Sequence, residues 1–95
     1  MSRQYADRIT VRCLTEGEDA PPEQFVWRRR RYRVRAVLQR WVEVGCWWRG
    51  QDAADEEYQV WRVEAAPERQ QERAGHYDLR QHRGTGGWVL DRAFD

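Results

Sequence analysis

Arg28-Arg29-Arg30-Arg31-Tyr32-Arg33-Val34-Arg35 places six arginines within eight residues. A guanidinium group is planar, weakly hydrated and always charged, and it can grip two phosphate oxygens at once. Several in a row can neutralise neighbouring phosphates of a nucleic acid, with Trp27 and Tyr32 near enough in sequence to stack on bases. The same run also reads as a solvated strand face whose charge guards a sheet edge against aggregation. In that case Glu43, Glu57 and Glu64 would pair with it across strands. Arg28, Arg29, Arg30, Arg31, Arg33 and Arg35 are therefore the candidate contacts to DNA or to an acidic partner surface. Trp41, Trp47 and Trp48 form a second group, suited to partner docking. Adjacent residues of a strand point to opposite sides, so Trp47 and Trp48 cannot both enter one core. The outward one either anchors a partner protein or caps the open end of a barrel.

Catalytic chemistry finds little to work with. Asp55-Glu56-Glu57 is an acidic loop, more readily solvated than metal-binding. Gly84-Thr85-Gly86-Gly87 has the glycines of a phosphate loop but not the following lysine and helix, so it reads as a hairpin turn. His76 and His82 lie six apart, which is neither helical ligand spacing nor a zinc-finger pattern. Cys13 and Cys46 form no metal-like pair and read as buried or half-buried free thiols, although a zinc site built from all four is conceivable in three dimensions. No Ser/His/Asp or Cys/His spacing stands out. The expectation is no enzyme, no metal and no cofactor.

These residues must be positioned by a chain of 95 residues, enough for one domain. It is 40% apolar and 35% charged, the balance of a folded domain. The net charge is +1, so any attraction to a polyanion has to come from local clustering. All 17 basic residues are arginine, which suits phosphate recognition and equally follows from GC-rich codons. Six tryptophans and four tyrosines stand in place of a larger aliphatic core, since each large ring buries about 150–250 Å². No apolar run approaches the roughly 20 residues of a membrane helix. A soluble, cytoplasmic protein with no membrane partner is expected.

Residues 1–7 read as a polar tail, and 8–95 as one small domain. Ile9 to Cys13 alternates as a short strand, and Leu14 to Gln24 is an acidic, proline-stiffened loop. Phe25-Val26-Trp27 is a strand, followed by a turn within Arg28–Arg31. From Tyr32 to Val44 the pattern predicts a long bent strand, with Tyr32, Val34, Ala36 and Leu38 on the apolar face and a bulge or helical turn within 36–40. Tyr58 to Val63 is the clearest remaining strand. Ala65 to Ala74 carries no apolar stripe and reads as a solvated excursion. Tyr77–Arg80 and Trp88–Leu90 then pair across the glycine-rich turn, the last strand ending near Phe94. Five or six short strands without a long amphipathic helix predict an all-β antiparallel sheet curled into a barrel or half-barrel.

The downstream half carries a family resemblance. Trp41, Gly45, Trp47 and Trp48, then Tyr58 and Val60, then Tyr77 and Leu79, and finally Gly86-Gly87-Trp88, Leu90, Asp91 and Asp95 occur in that order. This pattern resembles the small C-terminal domain of ImuB-type proteins, the catalytically degenerate Y-family polymerase homologues of bacterial mutagenic repair. It also resembles standalone relatives of that domain in high-GC bacteria, which share Phe25, Trp27, Tyr32 and Val34. Gln81-His82 and Ala93-Phe94 depart from the pattern at its last hairpin. The resemblance implies a binding module in DNA-damage tolerance (translesion synthesis), with DNA or a translesion polymerase-complex protein as partner. It brings no catalytic residue. The alternative is a protein–protein interaction or self-association domain without nucleic-acid contact.

Overall fold

The computed structural model describes residues 2–13, 15, 20–44, 57–84 and 86–94. Among these, every regular element is a strand: β1 (Ser2–Cys13), β2 (Pro22–Trp27), β3 (Arg30–Val44), β4 (Glu57–Pro67), β5 (Gly75–His82) and β6 (Trp88–Phe94). Each strand pairs antiparallel with the next, and β1 returns to β6, so the sheet closes into a barrel. The all-β expectation holds, in its closed form.

Alternation along each strand decides what fills the interior. Trp61, Val63 and Ala65 of β4 face inward, as do Leu79 of β5 and Trp88 and Leu90 of β6, all in one buried cluster. One end of that interior is a knot of rings. Phe25 stacks on Tyr32 with centroids 4.9 Å apart, and Tyr77 meets the pair edge-on at 5.6 and 5.4 Å. Trp27 closes the group against Tyr32 and Tyr77. Such ring pairs contribute about 0.5–1.5 kcal/mol each beyond the area they bury. The Trp27 indole N–H, buried with its ring, donates to Asp7 Oδ2 at 2.9 Å and so ties β2 to β1.

Three expectations change. The stretch read as a tail is strand from Ser2 onward: Ser2, Arg3 and Gln4 pair with Phe94, Ala93 and Arg92 of β6, which closes the sheet. β3 is the long strand expected, bulged by register shifts between Val34 and Ala36 and between Val37 and Gln39, and what changes is its apolar face. The first shift turns the pleat over, so Ala36 and Leu38 are exposed rather than core. Ala65 and Ala66 are fully buried in β4, and only the turn after Pro67 is an excursion. Small side chains there leave the narrow interior to the rings, a packing that no apolar stripe announces.

The β2–β3 hairpin turns on Arg28 and Arg29, with φ of 52° and 67°. Two left-handed residues in a two-residue loop make a type I′ turn, which normally takes Asn-Gly. A side chain in that region costs about 1–2 kcal/mol. Gly86, at φ 77° in the β5–β6 turn, is by contrast the residue its conformation favours. Arg29→Gly should therefore stabilise the barrel by about 1 kcal/mol, raising Tm by roughly 4–8 °C for a domain of this size. Thermal melting by circular dichroism measures it, and an unchanged or lower Tm would show that the turn is unstrained.

Candidate functional site

The hairpin that places the arginines also sorts them. Arg31 and Arg33 alternate with inward Tyr32 and face solvent, as expected. Arg28 folds back, its guanidinium 4.8 Å over the Trp27 ring and its Nε 3.4 Å from Asp7 Oδ2. Arg35 occupies the bulge and donates from Nη1 to the Gln71 carbonyl at 3.3 Å. Arg29, Arg30 and Arg31 line a groove of about 690 Å³ whose other wall is Pro67, Glu68, Arg69 and Gln70 of the β4–β5 turn. The two turns are fixed to each other by the Glu68 N–H, which donates to the Arg31 carbonyl at 2.8 Å.

The charge of this groove is only partly compensated. Glu68 lies 3.6 Å from Arg31, whereas Arg29, Arg30, Arg33 and Arg69 make no ion pair among the described residues. The acids expected to neutralise the run are engaged elsewhere. Glu43 pairs with Arg80, Glu57 with Arg83, and Glu64 faces His76 at 3.7 Å. Trp27 and Tyr32, expected as stacking platforms, are 8% and 6% exposed and belong to the core. The arrangement can hold phosphate oxygens through guanidinium groups, without base stacking beside them. Arg69 was not a candidate from sequence: it lies in a segment of mixed charge, and only the pairing of Tyr32 with Pro67 brings it to the hairpin.

Of the second group, only Trp41 is among the described residues, and it lies on the outer face of the sheet beside Arg62. Trp41 is half-buried, and its N–H is 3.4 Å from Glu43 Oε1. Arg62 sits between the Trp41 and Phe94 rings at 5.3 and 5.0 Å. It grips buried Asp78 through two hydrogen bonds of 2.8 and 3.0 Å. This hydrogen-bonded carboxylate holds the Arg62 guanidinium above its ordinary pKa. Arg80 bridges Glu43 at 2.9 Å and Asp91 at 3.4 Å, beneath the Tyr58 ring. These arginines are held internally, unlike those of the groove. Trp47 and Trp48 lie outside the described residues, as do Gly45, Cys46 and Asp55-Glu56.

Those residues of the family resemblance that are described now have structural positions. Leu79, Trp88 and Leu90 fill the interior, Tyr58 and Val60 are buried, and Asp91 holds Arg80. The pattern is the signature of a barrel and its ion pairs. The model of DUF6504, a domain of unknown function, matches residues 1–95. The chain belongs to the DUF6504 family. No match is found among curated proteins or solved structures. In this DUF6504 barrel, no group of three or more His, Cys, Asp or Glu among the described residues could hold a metal ion. Cys13 is a half-buried free thiol whose pKa burial pushes up, which disfavours the reactive thiolate. Among the described residues, no helix is long and apolar enough to cross a membrane.

Two outcomes follow from the outer-face ion pairs. Asp78 is 2% exposed, so Arg62→Ala strands a buried carboxylate and should cost about 3–5 kcal/mol. Asp78→Asn should cost less, because a 32% exposed Arg62 side chain can turn to water. Urea midpoints rank the two, and equal losses would show that burial of Asp78 does not set the cost. Burial also raises the Asp91 pKa, with Arg80 pulling it down and Glu43 pushing it up. A carboxyl raised by folding favours the fold as pH falls and loses that contribution as pH rises through its folded value. Relative to the parent, Asp91→Asn should therefore become less stable between about pH 7 and about pH 4. A pH-independent difference in urea midpoints would contradict it.

Proposed function

We propose that this DUF6504 domain is a non-catalytic binding module whose arginine-rich β2–β3 hairpin contacts the phosphates of DNA. The observation that carries this reading is the groove: Arg29, Arg30, Arg31 and Arg69 converge on it, with Glu68 as its one carboxylate among the described residues. A net charge of +1 hides this concentration, because the balancing acids are spent on other arginines. The biological setting, an accessory role in bacterial DNA-damage tolerance, rests on the resemblance to the ImuB C-terminal domain.

A second reading is favoured by a different observation. Among the described residues, β3 beyond Val34 pairs only with β4, and Val37, Leu38, Val42 and Val44 are 41–70% exposed along it. That surface supports protein docking or self-association, with Trp41 beside it and no nucleic acid involved.

Salt separates the two. Three or four neutralised phosphates should lower affinity about 40–150-fold between about 50 and 200 mM salt, whereas an apolar interface is nearly indifferent. Fluorescence anisotropy with labelled DNA measures this. Replacing Arg31, Arg33 and Arg35 together by Ser should weaken binding alike for unrelated sequences and flatten the salt slope by about 0.9 for each phosphate no longer neutralised. Absence of binding at the lower salt would leave the docking reading.

A further inference from the structure

Resting on the phosphate-binding reading, we infer that the groove between the β2–β3 and β4–β5 turns seats the sugar–phosphate backbone of a nucleic-acid duplex, with Arg69 as its second jaw. Arg29, Arg30 and Arg31 form one wall and Arg69 the other, so an anion in the groove meets guanidinium groups from two separate turns. Glu68 is held toward Arg31 and leaves Arg69 without a carboxylate partner among the described residues. The hydrogen bond from the Glu68 N–H to the Arg31 carbonyl sets the spacing of the two walls before any ligand arrives. Pre-set donors lose little on binding.

The same geometry selects the ligand. Single-strand binders combine basic tracks with aromatic platforms for unstacked bases. Here the nearest described rings, Trp27, Tyr32 and Tyr77, are packed into the core, and among the described residues none that lines the groove is aromatic. The binding is to phosphates alone, which a duplex presents in regular order while keeping its bases stacked. A membrane surface is disfavoured on the same grounds, since among the described residues none that lines the groove offers an aromatic ring or a long apolar side chain to insert between headgroups. The left-handed arginine at position 29 agrees with this assignment. Conformational strain kept at a turn where Gly would relieve it is expected where the side chain itself is used.

The test uses the full chain, a short fluorescein-labelled duplex, either of its single strands, and vesicles of anionic phospholipid. Arg69→Ser should weaken duplex binding about tenfold at low salt and flatten the salt slope by about 0.9, with Arg30→Ser equivalent. Arg73→Ser, on the same turn but outside the groove, should change affinity less than twofold. The parent should prefer duplex to single strand and ignore the vesicles. Circular dichroism shows that each variant is folded; all three positions are exposed. Arg69→Ser without effect, while the Arg31, Arg33 and Arg35 triple variant loses binding, would overturn the groove and leave the reading of the hairpin intact. Equal losses for Arg69→Ser and Arg73→Ser would assign the effect to general charge and overturn it likewise. Tighter single-strand binding, or vesicle binding that disappears in Arg69→Ser, would overturn the choice of ligand. No binding of any probe by the parent would overturn both the groove and the reading beneath it.

Discussion

Closure is the constraint on which the rest of this molecule depends. With six strands in one ring, the interior is too narrow for a large aliphatic core and too short to be filled by many residues. Aromatic rings meet both limits, since one ring fills the width from one strand. The bulges in β1, β3 and between β5 and β6 are the other half of the same solution, bending strands that must return to their starting point. Even the polar contacts serve it: Asp7 receives the Trp27 indole so that a ring can be buried without leaving its N–H unpaired.

That constraint also makes the groove. A ring of antiparallel strands gathers alternate turns at the same end, so the β2–β3 and β4–β5 hairpins become neighbours although about forty residues separate them in sequence. The arginines then divide by location. Those on the outer sheet face, Arg62 and Arg80, are locked to Asp78, Glu43 and Asp91 between rings. Those at the turns project past the last ladder bonds, where few carboxylates reach them. A nearly neutral chain thus carries a polarised surface.

Much of this architecture was legible in the residues. Period-two alternation and turn glycines located part or all of each of the six strands, and the arginine run marked one wall of the groove. What escaped had physical reasons. The first half of β1 lacks an apolar face to announce it, and its order comes from hydrogen bonds to β6. Ala65 and Ala66 are buried by the size of their neighbours rather than by their own hydrophobicity. The bulge after Val34 inverts a pleat that runs unbroken in the sequence. Arg69 belongs to the groove only through pairing across strands, which a linear pattern does not record. Trp27 and Tyr32 sit beside six charges in sequence, and neighbourhood alone did not distinguish a ring that stacks outward from one that packs inward.

The pairing of Ser2 with Phe94 has a consequence in time. Among the described residues, the segment from Ser2 to Ile9 finds its ladder partners in β6, which is synthesised after the other five strands of the barrel. Until Trp88 to Phe94 emerge, the nascent sheet has two raw edges and an uncovered knot of rings, a state open to wrong partners. The final seven-residue strand converts an adhesive ribbon into an inert ring in one step. A chain cut short before it would carry almost every residue of the fold and still lack the property that keeps the fold to itself.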